Sequence, residues 1–339
     1  MTTNLEQEIA PRPIDVTGIG NAIVDLIAHE PDALIAELGM IKGAMNLVDA
    51  ERSAMIVSRL TAPLEVAGGS VANTITGISS LGGRAHYMGK VRDDRLGHAF
   101  SRSVGEIGVG FTTPFASSGP ATACCAILVT DDAQRTMNTY LGASVDFRPE
   151  DVDRKVIASS AILYLEGYLF DPPHAQEAFR VAARHARDVG TLVSITLSDS
   201  FCVDRHRDAF LELITGHVDL VFANEHEICS LFETDDVDDA TTRLRELGVS
   251  GAITHGAKGS TLFRDGEFVT VEAHPVDEVV DTTGAGDLYA AGVLFGWARG
   301  YDLETCGRLG SVAAAEVLSH LGARPLVPLS ELTAELIPA

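Results

Sequence analysis

The sequence predicts an α/β protein: a doubly wound, mostly parallel sheet with helices on both faces, and a small separate β-sheet set over it as a lid. Three observations carry this expectation. From residue 155 onward, short β-branched runs alternate with helix-patterned segments. Two earlier extended stretches break that rhythm, and glycine pairs stand where strand-like runs pass into helix-like ones.

Taken in order, the first strand signal runs from Ile14 to Gly20 and on into "GNAIVD". "GAMNLVDA" (43–50) and "TACCAILVTDDAQRTMNTYLG" (122–142) read as extended, the second as a hairpin turning at Asp131-Asp132-Ala133-Gln134. Segments of about 30–50 and 112–145 are therefore expected to form the lid, inserted in one domain spanning 1–339. Between them, "VAGGSVANTITGISSLGG" (66–83) has Ser70 as a cap, Val71, Ile75, Ile78 and Leu81 as an apolar helix face, and Gly82-Gly83 as a stop. "AILYLEGYL", "TLVSITLSD", "VDLVFAN" and "GAITHG" are then short strands separated by helices such as "AQEAFRVAARHARDVG". "STLFRDGEFVTVEA" (260–273) is an edge hairpin with an Asp-Gly turn.

The 339 residues are 46% hydrophobic and 22% charged, enough to bury a large core. A formal net charge of -23 argues against nucleic-acid or anionic-membrane partners, which need a basic footprint. Five cysteines, with Cys124 and Cys125 adjacent and no CxxC spacing, suggest neither a disulfide framework nor a zinc site. The polar start "MTTNLEQEIAPRP" and apolar stretches no longer than "LYAAGVLFGWA" point to a soluble cytoplasmic protein.

Chemistry concentrates in "DTTGAGD". Gly284, Ala285 and Gly286 lack bulky side chains, so successive N–H groups can converge on an anion at the positive end of the next helix. Asp287 then has two readings: an N-cap after a glycine turn, or a carboxylate that accepts the proton of an attacking hydroxyl. Gly68-Gly69 and Asn73 would let backbone and amide approach a polyhydroxy ligand. In "FANEHE", Asn224 and Glu227 share one side of a first helical turn, which suits either a solvated helix start or a magnesium site. "GAITHGAKGS" fails the P-loop pattern by one residue, "TGIGNAIVD" lacks the third glycine of a dinucleotide fingerprint, and neither HExxH nor GxSxG occurs.

In that order and spacing, "AGGSVANT…LGG", "FANEHE", "ITHGAKGS" and "DTTGAGD" resemble the ribokinase and phosphofructokinase-B family of carbohydrate and nucleoside kinases over nearly the whole chain. The resemblance implies a ribokinase-like fold, ATP with Mg²⁺ as cofactors, and Asp287 as catalytic base beside an anion hole of Gly284, Ala285 and Gly286. It implies that Asn224 and Glu227 organise magnesium and phosphates through water, and that Thr254, Gly256 and Gly259 border the nucleotide. Asp281 and Thr283 match positions that hold a monovalent cation such as K⁺ in some members.

"GNAIVD" resembles adenosine kinases, which implies that Asn21 and Asp25 contact a ribose, with Gly68, Gly69, Ser70 and Asn73 around it. Asn46 would face the base, Tyr168 would stack on a purine, and Arg135 would neutralise the transferred phosphate. The expected reaction is ATP-dependent phosphorylation of a nucleoside 5′-hydroxyl, adenosine foremost, in purine salvage. "SVAN" is equally compatible with sugar kinases acting on ribose or fructose, and a non-catalytic nucleoside or nucleotide sensor is the alternative from another class. Related lids occur as monomer flaps and as dimer clasps, so the resemblance implies a monomer or a homodimer.

Overall fold

The computed structural model describes residues 12–132 and 134–338. Strand β1 (Ile14–Ile19) passes through Gly20-Asn21-Ala22 into β2 (Ile23–His29), followed by β3 (Met45–Leu47) and β4 (Leu64–Gly68). Next come β5 (Ala85–Met88), β6 (Gly110–Phe111), β7 (Ala123–Val129) and β8 (Arg135–Tyr140). The second half supplies β9 (Ser160–Glu166), β10 (Leu192–Thr196), β11 (Leu220–Asn224), β12 (Ser250–Thr254), β13 (Ser260–Arg264) and β14 (Glu267–Val271).

Among the described residues these strands build two sheets, one of nine strands in the order β14-β13-β12-β11-β10-β9-β1-β5-β6 and one of five in the order β3-β8-β7-β2-β4. The large sheet is parallel from β12 through to β6, and the β13–β14 hairpin closes one edge antiparallel, as the Asp-Gly turn predicts. A parallel sheet covered on both faces needs strands that are apolar on both sides. β9 shows this directly. Ile162 and Tyr164 enter the core shared with the Ser70–Ser80 and Ala285–Ala298 helices, while Leu163 and Leu165 enter the opposite core with the Pro173–Asp188 and Ser200–His217 helices.

The small sheet is larger than the two extended stretches suggested. β2 and β4 belong to it as well, the expected span of 112–145 contributes β7 and β8, and residues 110–111, just before that span, pair with β5 in the large sheet. The period of two sorts its side chains. Val24, Leu26, Ala126 and Leu128 turn toward a pair of short helices, Asp32–Glu37 and Ala50–Val57, and part of this set packs there as a satellite core. Ile23, Asp25, Cys125 and Met137 turn the other way, over the carboxyl ends of the large sheet. No described helix is long and apolar enough to cross a membrane.

Candidate active site

A cleft of about 730 Å³ lies between that second face and the large sheet. It sits where doubly wound sheets bind ligands, outside the carboxyl ends of the strands. Asp287 lines it, and is the third residue of the Ala285–Ala298 helix rather than its cap. The N-cap is Gly284 at φ 82°, and a Cβ there would stand 2.7 Å from Ala323 Cβ, so the turn requires glycine. Gly286 borders open space: nothing lies within 4 Å of where its Cβ would be. Ala285 departs from the expected anion hole, because its N–H turns back to Thr282 O at 3.3 Å. The first-turn amides of Gly286 and Asp287 have no carbonyl four residues earlier to bond within the helix, and they form its positive end.

The Asp287 carboxylate accepts hydrogen bonds from Ser70 Oγ (2.6 Å) and Asn73 Nδ2 (3.0 Å). Burial raises its pKa from 3.8 to about 6, against the opposing pull of those two donors. A carboxylate so poised is ionised at neutral pH and still basic enough to take a proton. Turnover at saturating substrate is expected to fall about tenfold per pH unit below about pH 6, as Asp287 becomes protonated. A kcat profile flat down to about pH 5 would remove it from proton transfer.

Ser70 and Asn73 therefore meet Asp287, although both also border the cleft. Ser70 is not a cap. The Ser70–Ser80 helix begins after Gly69 at φ 100°, with no side-chain capping bond from that residue. Its Val71 N–H donates instead to Glu166 Oε2 at 3.0 Å, while Glu166 Oε1 accepts from Asn21 N (3.2 Å) and Nδ2 (2.8 Å). Asn21 Oδ1 accepts from Ser144 Oγ at 2.9 Å, so its amide is committed inside the protein although it lines the cleft. Glu166 was not singled out from the sequence; its only signal is an acid ending a fully buried strand. Burial lifts its pKa to about 7, opposed by those hydrogen bonds.

Gly68 and Gly69 have separate steric reasons. A Cβ on Gly68 would run into the Asp25 carboxylate, and one on Gly69 into Asn21 O. Asp25 thus lies over a glycine floor, with its pKa raised to about 6 by burial and pulled back by Arg324 and Arg135. Arg135, on the same face of β8 as Met137, forms an ion pair with Asp281. Asp281 Oδ1 also accepts from Thr283 N (3.0 Å) and Oγ1 (2.7 Å), and Oδ2 from Gly322 N (3.0 Å). In this structure four protein donors, one of them the Arg135 guanidinium, meet the two Asp281 oxygens.

Strand parity corrects Asn46. It pairs with Asn138 on the helix-covered face, while its neighbours Met45 and Leu47 line the cleft. Tyr168 does line it, held at the end of β9 by its N–H to Ser198 Oγ at 3.2 Å, and Phe201 lines it as well. These two residues are 38% and 73% exposed, aromatic surface left uncovered at the cleft.

Asn224 and Glu227 make a capping box: Asn224 Oδ1 accepts from Glu227 N (2.9 Å), and Glu227 accepts from Asn224 N (3.0 Å) and Nδ2 (2.6 Å). Burial and the charge of Asp199 raise Glu227 to about 7. Among the described residues no cluster of three metal-ligating side chains exists. Glu227 and Asp199 line the cleft, and a magnesium ion, which takes few protein ligands and keeps several waters, would be held by them through water and would supply charge neutralisation there. Thr254 lines the cleft; Gly256 and Gly259 do not. Gly259, at φ 97°, is required because a Cβ would strike Val271 O in the neighbouring strand.

Two glycine turns feeding two helices, with an acid held between them under a β lid, define a phosphotransferase site, and the family follows: residues 39–329 match the pfkB family carbohydrate kinases, and the chain belongs to that family. Its enzymes transfer phosphate to an alcohol, using ATP and generally Mg²⁺, and this chain is a nucleoside or sugar kinase among them. The adenosine kinase of Sinorhizobium meliloti is 49% identical, with a TM-score of 0.87 over 96% of this chain and 99% of that one. A probable sugar kinase from Rhizobium etli CFN 42 is 45% identical, with a TM-score of 0.88 over 96% of this chain and 100% of that one. A nucleoside kinase from Methanothermobacter thermautotrophicus is 28% identical over 77% of this chain and 81% of its own length.

Proposed function

We propose that this protein transfers the γ-phosphate of ATP to the 5′-hydroxyl of a nucleoside, adenosine foremost. The observation that carries the reading is the apolar wall of the cleft: Tyr168 and Phe201 from the helical turns that follow β9 and β10, with Met45, Leu47 and Met137 from the small sheet. A planar base covers such a surface, while a free sugar would leave it in water. The likeness to the Sinorhizobium meliloti adenosine kinase supports the same acceptor.

In this reading Asp25 accepts hydrogen bonds from the ribose diol, and Asp287 accepts the 5′-hydroxyl proton as the oxygen attacks. The amides of Gly286 and Asp287 and the Arg135 guanidinium stabilise charge on the moving phosphoryl group. Asp287 stays aligned because Ser70 and Asn73 grip both of its oxygens. Mg²⁺, when bound with ATP, supplies charge neutralisation on the phosphates.

ADP release measured across adenosine, inosine, guanosine, ribose and fructose tests the acceptor. Adenosine is expected to give the highest kcat/KM, and faster turnover of either sugar would replace the nucleoside reading with the sugar reading. Phe201→Ala is expected to raise KM for adenosine about tenfold with kcat near wild type, the size of one lost base–aromatic stack. An unchanged KM would show that the base lies elsewhere.

A further inference from the structure

Behind Asp25 stands an arginine to which the reading above gives no role. Arg324 follows Ala323, which packs against the Gly284 turn. Its Nη1 donates to Ser103 Oγ at 3.3 Å, and the same oxygen accepts from Ala67 N at 3.2 Å. Ala67 immediately precedes Gly68, the floor beneath the Asp25 carboxylate. Arg324 is therefore tied to the strand that carries Asp25's support.

Its Nε and Nη2 are buried and meet no hydrogen-bond partner among the described residues. A buried guanidinium with idle donors is costly to the fold and is retained where its charge has a use. The opposite charge it senses is Asp25, whose carboxylate lines the cleft. The other groups around Asp25 are few. Arg135 on β8 is shared with Asp281, and Cys125, directly opposite on β7, is a buried thiol held neutral. Glu65 on β4 pairs with Leu26, on the other face of the sheet, and meets Arg95. Glu166 and Asp287 line the same cleft; Asp287 is ionised at neutral pH, while burial holds Glu166 near the midpoint of its titration there.

We propose that Arg324 is a positioning residue for the acceptor: its charge keeps the desolvated Asp25 carboxylate ionised, so that both oxygens can accept hydrogen bonds from a vicinal diol. The proposal rests on the assignment of Asp25 to the acceptor's diol. Without Arg324, burial is opposed by Arg135 alone, and Asp25 takes up a proton closer to neutrality. A protonated carboxyl keeps one hydroxyl donor and accepts less well.

The test is the pH dependence of KM and kcat, from about pH 6 to about pH 8.5, for wild type, Arg324→Met and Arg324→Lys, with adenosine and 2′-deoxyadenosine as acceptors. For Arg324→Met the KM for adenosine is expected to rise roughly tenfold near the acid end and to approach wild type near the alkaline end, with kcat little changed. Arg324→Lys, which keeps the charge, is expected to restore most of the acid-end affinity, and 2′-deoxyadenosine to show little of the effect. A KM defect equal at every pH, or one equally large for the deoxynucleoside, would overturn the proposal and leave Arg324 a packing residue. Should Arg324→Met not fold, Asp25→Asn must abolish the acid limb of the wild-type KM profile, and a retained limb overturns the proposal equally. If the protein prefers a free sugar, the nucleoside reading fails, but the same pH comparison on that sugar still tests Arg324.

Discussion

Asp287→Asn is expected to fold, bind ATP and lose two to four orders of magnitude in kcat, about the share that a positioned general base contributes. The variant keeps the shape of the residue and one acceptor oxygen for Ser70 Oγ. Its new amide would point at Asn73 Nδ2, and a turn of the Asn73 amide restores the bond. The charge term favours the variant. Because Asp287's folded pKa is raised from 3.8 to about 6, the folded protein retains a proton that the unfolded chain has already released across that window. Stability from this group therefore falls as pH rises from about 4 to about 6, and asparagine escapes the loss. Melting temperature at about pH 8 is expected to stay within a few degrees of wild type or to rise. Turnover within tenfold of wild type would exclude Asp287 as the proton acceptor.

Gly69→Ala is expected to be the most damaging single methyl group in the site. The position combines φ 100° with a backbone oxygen, Asn21 O, where the Cβ must go. Strain and overlap together cost about 2–4 kcal/mol, and relief requires the start of the Ser70–Ser80 helix to move. Ser70 and Asn73 move with it, so kcat falls along with the melting temperature. A variant with wild-type stability and kcat would show that the Gly68-Gly69 turn does not hold the helix in place.

The parts of this site legible in the sequence are those written in local chemistry. Gly284, Gly286 and Asp287 form a turn, a helix start and a charge within four residues, and the structure keeps them together at a cleft. The alternation of strands and helices after residue 155 likewise needed only periodicity. What was not legible depends on partners far along the chain. Ser70 reads as a cap because a hydroxyl at a helix start usually is one; only the fold brings residue 287 to it. Glu166 anchors the Ser70–Ser80 helix from a strand whose local pattern is simply apolar. Asn46 fails by parity, since one step along a strand exchanges the two faces.

The lid boundary was hidden for a related reason. β1 and β2 are separated by three residues and read as one extended run, yet they belong to different sheets. The same crossing is made again at Gly68-Gly69, before β7, and after β8 at Gly142, whose φ is 43°. The upper sheet is therefore laced to the lower one at four seams rather than hung from a single tether. Any swing between the two must twist the seams in concert, as a book cover turns on all its stitches, and stiffening one of them restrains the whole cover.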